Sequence, residues 1–144
     1  MCVAIMKPTI KPTRGMRNCN PLNIRNSKDY KWSGQIGSDN DGFCRFKSML
    51  YGLRAAFCLL RTYNLKYKCQ TIRQIIERWA PPTENHTELY ILHVCQMSKM
   101  SDDTMCMYSG TEALSLFSAM ARIESRYEPT KEELQQAQQM AIFG

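Results

Sequence analysis

The feature that most constrains the fold of this chain is a helical pattern that is apolar on almost every side. The pattern follows Ser109-Gly-Thr-Glu112, which has the spacing of a capping box at a helix start. Six apolar residues then recur at helical intervals on two adjacent faces. They are Ala113, Leu116, Phe117, Met120, Ala121 and Ile123. A helix without a broad polar face must be surrounded by other elements. We therefore expect it to lie at the centre of a mainly helical domain.

Four further helices are predicted around this centre. A long amphipathic helix spans residues 47 to 63, where apolar residues fall on one stripe. Capping-box spacing recurs at Thr71-Ile-Arg-Gln74, Asn85-His-Thr-Glu88 and Thr130-Lys-Glu-Glu133, and each instance predicts a helix start. The first of these three helices must end before Pro81-Pro82, because the residue before a proline disfavours helical geometry.

The segment before the long helix has a different pattern. Between residues 23 and 46, aromatic and β-branched residues flank the turn signal Ser38-Asp-Asn-Asp-Gly42, which predicts a small hairpin or irregular β-lobe. Residues 1 to 13 carry two Lys-Pro pairs and are predicted to form an extended arm. Because no linker or repeat interrupts the rest, we expect one domain over residues 14 to 144, of mainly α class with a small β-lobe (α+β).

Net charge and hydropathy limit the kinds of partner that the protein is expected to bind. The formal net charge of +6 favours an anionic partner such as a nucleic acid, a membrane surface or an acidic cell-wall polymer. Nucleic acid is not expected, since the basic residues form no dense stripe. The chain has no apolar run of the roughly 18 residues that cross a bilayer, and its start lacks a signal-peptide core. We expect a soluble protein, made in the cytoplasm without a signal peptide and without a membrane partner.

The number and spacing of the cysteines and histidines limit the metal sites that the chain could form. The seven cysteines are an odd number and contain no Cys-x-x-Cys pair, which indicates free thiols. His86 and His93 are the two histidines, and His93-x-Cys95 is too sparse for a four-ligand zinc site. The sequence therefore predicts no metal and no cofactor.

Three asparagines crowd around one proline near the start of the predicted domain. Asn18, Asn20 and Asn23 surround Pro21, and Trp32-Ser-Gly34 follows. Asparagine amides both donate and accept hydrogen bonds, so they either fix tight turns or line a groove that binds polar ligands such as sugars. From this segment alone both interpretations stay open.

One carboxylate stands out at the end of the predicted central helix. Glu124 follows Ala121 and Phe117 on a face that is otherwise apolar. Burial of a carboxyl group favours its protonated form, which a general acid needs in order to donate a proton to a glycosidic oxygen. The alternative is a surface glutamate at a helix end that pairs with Arg122 or Arg126.

Four segments resemble a phage and prophage family that is described as virion structural protein. They are Arg14-Gly-Met-Arg-Asn-Cys-Asn-Pro-Leu-Asn-Ile24, Trp32-x-Gly34, Tyr51-Gly-Leu-Arg-Ala55 and Thr71 to Tyr90. The resemblance covers roughly residues 14 to 137. A Glu-Asn-Gly element closes the last long helix of that family, and Glu124-Ser-Arg126 stands in its place. This chain thus departs from the family pattern at Ser125-Arg126, and also at Leu22, where a glycine is usual.

The same pieces resemble peptidoglycan-cleaving enzymes of the lysozyme superfamily, in a different order. In lytic transglycosylases and bacterial glucosaminidases the helix that ends in the catalytic glutamate precedes the β-lobe. Here the lobe comes first and Ala121-Arg-Ile-Glu-Ser-Arg-Tyr127 comes late. The resemblance implies a circularly permuted lysozyme-like domain and a bacteriolytic glycosidase, either a lysozyme (muramidase) or a lytic transglycosylase, that cleaves the MurNAc-GlcNAc backbone of the cell wall.

The resemblance also implies roles for individual residues. Glu124 would be the catalytic acid, and Glu84 is the preferred assisting carboxylate. Asp39 and Asp41 are alternatives for activating water. The expected substrate-binding residues are Asn18, Asn20, Asn23, Trp32, Tyr90 and Tyr127. A permuted domain further predicts that the segment from Asn18 to Asn23 lies near Glu124.

The expected partner is the peptidoglycan glycan strand. Because the protein would act at the bacterial wall or periplasm, it would be delivered by a virion, a holin or a secretion system. Proteins of the virion or secretion system, and an immunity or inhibitor protein, are further candidate partners. The rival hypothesis is a non-catalytic peptidoglycan-binding or structural virion module.

Overall fold

Residues 11 to 144 are described by the computed structural model, and in this part of the chain helices predominate. Within these residues there are two strands, which form one hairpin, and six helices. In chain order the elements are α1 (Arg14–Arg17), β1 (Gln35–Ser38), β2 (Cys44–Phe46), α2 (Met49–Leu65), α3 (Ile72–Trp79), α4 (Thr87–Ser98), α5 (Thr111–Ser125) and α6 (Lys131–Phe143). The mainly α class with a small β-lobe is confirmed. The predicted extended arm lies outside the described residues, except for residues 11 to 13.

Helix α5 is the central element, as its apolar pattern predicts. Phe117 is fully buried and meets Phe57 of α2 edge to face, with ring centroids 4.8 Å apart. On its other side the Phe117 ring packs against Trp79 of α3 at 5.6 Å. Each such aromatic pair adds about 0.5–1.5 kcal/mol to what burial alone contributes. The side chains of α2, α3 and α5 therefore form one continuous core.

The predicted capping boxes differ in outcome. Thr71 forms the complete box, since its hydroxyl accepts from the Gln74 amide and the Gln74 side chain accepts in return. Thr130 forms half of one, because Glu133 bonds instead to the Tyr127 hydroxyl. The boxes at residues 85 to 88 and 109 to 112 are wrong: α4 and α5 begin after His86 and Gly110, and neither start has a side-chain cap.

The β-lobe is a short antiparallel hairpin. Strand β1 pairs with β2, and an irregularity between Gln35 and Gly37 breaks the register. The loop between the strands is closed by Asp39, whose carboxylate accepts from the backbone amides of Asp41 and Phe43. The lobe is joined to the helices through the Phe46 amide, which donates to the Asn18 carbonyl. This places the asparagine-rich turn between the hairpin and the helical core.

Helix α2 approaches that turn closely at Gly52. A side chain there would overlap the Cys19 carbonyl and contact the Pro21 ring, so glycine is required for this packing.

Within residues 11 to 144, none of the helices combines the length and apolar character that crossing a membrane requires.

Candidate functional site

The asparagine-rich turn is built from its own amides. Asn20 is fully buried, and its amide nitrogen donates to the carbonyls of Ile24 and Cys44. Its amide oxygen accepts from the Ile24 backbone amide. The Asn18 amide donates to Asp39 at 2.8 Å. Both side chains thus hold the lobe against the turn, and they shape the region without presenting free amide groups to it.

The end of α5 is fastened to this turn by Ser125. The buried Ser125 hydroxyl donates to the Pro21 carbonyl at 2.8 Å, and the Ser125 carbonyl accepts from the Thr13 hydroxyl at 2.7 Å. Gly15 makes the approach possible, because a side chain at that position would overlap the Ser125 hydroxymethyl group. The two contacts fix α5 relative to α1 and the asparagine-rich turn.

Asn23 and Glu124 are in direct contact. The Asn23 side-chain nitrogen lies 3.1 Å from Glu124 Oε2 and 3.4 Å from the Glu124 carbonyl oxygen. Asn23 adopts left-handed backbone geometry, with φ of 51°, which asparagine tolerates better than most residues. Its side-chain oxygen is buried and has no hydrogen-bond partner among residues 11 to 144. The expected proximity of the turn to Glu124 is confirmed.

Tyr90 of α4 lies on another side of the same carboxylate. Its hydroxyl is buried and makes no hydrogen bond of regular geometry with the described part of the chain. Burial, and then the charge and hydrogen-bonding capacity of Glu124, raise the pKa of Tyr90 well above its ordinary value. A neutral phenol therefore faces the carboxyl group near physiological pH.

The predicted alternative of a surface ion pair is wrong for the described residues. Glu124 is half-buried and forms no salt bridge with any residue from 11 to 144, Arg122 and Arg126 included. Arg126 follows the helix in left-handed geometry, with φ of 54°. It lines a separate depression together with Met97 and Glu128.

Glu124 lies in the wall of a cleft of about 510 Å³ between the lobe and the helices. Glu84 lines the same cleft from the exposed loop after α3, and it makes no hydrogen bond to Glu124. Three arginines and a mixed apolar and amide surface complete the lining. These residues include Arg14, Arg25, Arg78, Leu22, Asn23, Tyr63, Trp79 and Asn85.

A second compartment of about 700 Å³ continues from this cleft. The two share several lining residues, namely Tyr30, Leu59, Tyr63, Arg78 and Pro81, so together they form one groove. Trp32 lines the second compartment and packs edge to face with Tyr30 at 5.0 Å. The Trp32 indole nitrogen is buried without a partner among the described residues.

Three other residues singled out in the sequence lie away from the cleft. The Asp39 carboxylate holds the hairpin loop closed. Hydrogen bonds from the Phe43 backbone amide and the Asn18 side chain hold the pKa of Asp39 below its usual value. Asp41 pairs with Arg14 at 2.9 Å. The Tyr127 hydroxyl donates to Glu133 at 2.6 Å, which directs it toward α6. None of these three lines the cleft.

Sequence reasoning missed Tyr30, Tyr63, Tyr67 and Arg78 as groove residues. Tyr63 belongs to the apolar stripe of α2 and reads as a core residue, although it lies at the edge of the stripe that faces the groove. The sequence signal that could have identified Arg78 was the Arg78-Trp79 pair just before Pro81, because α3 must end at that point.

No group of three or more histidine, cysteine, aspartate or glutamate side chains within the described part of the chain is arranged to hold a metal ion.

The chain is similar to a protein of a bacterial virus. Protein P5 of Pseudoalteromonas phage PM2 is 36% identical over 141 residues, which covers 91% of this chain and 83% of protein P5. No family model matches the chain.

Proposed function

The chain belongs to the same family as protein P5 of Pseudoalteromonas phage PM2, and we propose that it is a peptidoglycan-cleaving glycosidase with Glu124 as the general acid. The observation that carries the proposal is the convergence of Asn23 and Tyr90 on Glu124. These three side chains come from the turn, α4 and α5, and they meet in the wall of an open groove. Such convergence of polar groups on a half-buried carboxyl group is typical of a catalytic centre.

The groove suits a polymeric sugar substrate. Its two compartments share part of their lining, as adjoining sites for successive sugar units of a glycan strand would. Tyr30 and Trp32 supply aromatic surface. The Asn18 to Asn23 turn shapes the other wall. The positive net charge favours approach to the anionic cell wall.

In the proposed step, Glu124 donates its proton to the oxygen between MurNAc and GlcNAc while the bond from that oxygen to the anomeric carbon breaks. Because Asn23 occupies Oε2, Oε1 is the oxygen that would carry the proton. The resulting carboxylate then accepts a proton from the group that attacks the anomeric carbon, and Glu124 returns to its starting state. Asn23 and Tyr90 would keep the carboxyl group in position throughout.

The attacking group distinguishes a hydrolase from a lytic transglycosylase. Attack by water gives a reducing end, whereas attack by the 6-hydroxyl of the same MurNAc gives a 1,6-anhydro product. Glu84 is the other carboxylate of the first compartment and would activate the water of a hydrolase. If Glu84 does not serve, single-acid transglycosylase chemistry needs only Glu124 from the protein, because the sugar's own hydroxyl completes the reaction.

The proposal includes the lysozyme-like, circularly permuted arrangement. It is supported by the contact between the early lobe and the late helix, which Ser125 and Asn23 bridge. Its phage relative supports action at the bacterial wall or periplasm after delivery by a virion, a holin or a secretion system.

The proposal is tested by mass spectrometry of purified peptidoglycan after digestion. Wild-type protein should release soluble muropeptides, with 1,6-anhydro ends for a transglycosylase and reducing ends for a hydrolase. Glu124→Gln should release none, while Glu132→Gln, at an exposed position of α6, should match wild type. If Glu124→Gln digests as fast as wild type, the assignment of Glu124 is wrong.

The second candidate is a non-catalytic peptidoglycan-binding or structural virion module. The departure from the Glu-Asn-Gly pattern at Ser125-Arg126, where the buried Ser125 hydroxyl serves a structural hydrogen bond to Pro21, favours it. Binding of wild-type protein to sacculi without any soluble product would support this alternative.

A further inference from the structure

Arg78 occupies the junction between the two compartments of the groove. Its guanidinium lies 3.4 Å from the centre of the Tyr67 ring and 5.3 Å from that of Tyr63. The side chain is exposed and forms no ion pair with any residue from 11 to 144. By contrast, Arg14 pairs with Asp41 and Arg73 pairs with three carboxylates. Arg78 is thus a positioned cation whose planar face is supported while its donors stay open.

The charges around Arg78 leave its cation uncompensated within the second compartment. Lys66 lines the same compartment and lies 5.2 Å from the Tyr67 ring centre. Glu77 is the acidic residue of that lining, and its carboxylate is already paired with Arg73 at 3.5 Å. Glu84 lines the first compartment, as Arg78 does, but it forms no ion pair with Arg78 or Lys66. The junction therefore favours an anionic group on whatever occupies the groove.

A guanidinium that lies over aromatic rings and forms no ion pair with the described residues matches a carboxylate in particular. Its parallel N–H groups donate to both carboxylate oxygens, which a lysine ammonium cannot do with the same geometry. Sugar rings fit the neighbouring aromatic surface of Tyr30 and Trp32. A ligand with a sugar and a carboxylate close together would satisfy both features.

Resting on the proposed glycosidase function, we infer that Arg78 selects muramic acid-containing glycan by binding a carboxylate that the MurNAc unit carries. That carboxylate belongs either to the peptide stem or to the lactyl group from which a stem has been removed. Neutral glycans built from GlcNAc alone, such as chitin oligomers, lack both. Arg78 is thereby a specificity residue, separate from the proton donor.

The test measures dissociation constants in the Glu124→Gln background, where turnover should not interfere. Three soluble ligands of equal length are compared: stem-bearing MurNAc-GlcNAc oligomers, the same oligomers after amidase removal of the stem, and GlcNAc oligomers. Adding Arg78→Gln should weaken binding of at least one muramic ligand by roughly tenfold or more. It should leave GlcNAc oligomers within about twofold. Arg78→Lys should lose part of the affinity, because charge remains but the fork is lost.

Arg61→Gln is the matched control. Arg61 is also exposed and lies over a tyrosine ring, that of Tyr108 at 5.6 Å, but it lines neither compartment. It should bind all three ligands as the parent does, and all variants should keep the parent's melting temperature within about two degrees.

Loss confined to the stem-bearing ligand assigns the carboxylate to the peptide stem, and loss confined to the stem-free ligand assigns it to the lactyl group, whose carboxyl is an amide while the stem is attached. Loss with both muramic ligands means that Arg78 binds a carboxylate from either source. Equal affinities for Arg78→Gln and its parent would overturn the inference, as would parent affinity for GlcNAc oligomers equal to that for muramic ones. Either result leaves the cleavage proposal standing, since digestion of peptidoglycan by wild type is measured separately.

Discussion

The side-chain nitrogen of Asn23 lies 3.1 Å from Oε2 of Glu124, although 101 positions separate the two residues in the chain. The contact joins the tip of the asparagine-rich turn to the end of the central helix. It gives the carboxyl group a fixed orientation toward the groove.

Two replacements of Asn23 distinguish the effect of its side chain from the effect of its left-handed backbone geometry. Asn23→Gly accepts the left-handed φ of 51° but removes the donor to Glu124, so peptidoglycan digestion should fall by roughly tenfold to a hundredfold with little change in melting temperature. Asn23→Ala should lose the same activity and about 1 kcal/mol of stability as well. Digestion by Asn23→Gly at the wild-type rate would show that the amide does not position Glu124.

Ser125→Ala should destabilise the protein by about 1–3 kcal/mol. The substitution leaves the buried Pro21 carbonyl without its donor and adds no compensating contact. Urea denaturation gives the free energy of unfolding for comparison with Ser115→Ala, at an exposed position of the same helix. If the two variants are equally stable, the Ser125 hydrogen bond contributes nothing measurable.

Arg126→Gly should stabilise the protein by about 0.5–1 kcal/mol. Arg126 stands in left-handed geometry just after α5, where glycine carries no steric penalty. Arg122→Gly, one turn earlier inside the helix, should do the opposite by about 1 kcal/mol, because glycine weakens helix interiors. Thermal melting of the two variants should therefore shift in opposite directions, and a shared direction would contradict the argument.

Stability should fall in alkaline solution through Tyr63. Burial raises its pKa from 10.0 to about 12, so the unfolded chain loses this proton at lower pH than the folded protein does. The stabilisation is complete below pH 10 and is lost as the pH rises toward 12. The free energy of unfolding should drop with a slope of up to about 1.4 kcal/mol per pH unit from this group. Tyr63→Phe should flatten the curve in that window, and an unchanged slope would contradict the assignment.

Apolar periodicity was sufficient to predict the helical core. The stripe of α2 and the apolar surround of α5 depend on local spacing, and both helices begin within two residues of their expected starts. Capping depended on more than spacing. The Asn85 amide donates to the Pro81 carbonyl instead of capping α4, because the turn between the helices brings that carbonyl within reach.

The contact between Asn23 and Glu124 could be expected from the order of motifs, but the rest of the groove could not. Tyr63 lies at the edge of an apolar stripe, and this edge faces the groove while the middle of the stripe packs in the core. The spacing of apolar residues alone does not distinguish an edge position from a core position. The position of Arg78 depends on how α3 crosses α2, which no local pattern specifies. Tyr90 was expected to bind substrate, whereas its hydroxyl is buried against Glu124.

The hydrogen bonds from Thr13 and to Pro21 that meet at Ser125 have a consequence for how the protein is made. They close loops of 112 and 104 residues. The entropic cost of closing these loops is offset only after the later part of the chain has been made and packs against the earlier part. A nascent chain that has not yet extended past Ser125 lacks both Glu124 and the anchor that holds the turn beside it. The groove therefore cannot be complete until the sequence through Ser125 has been made.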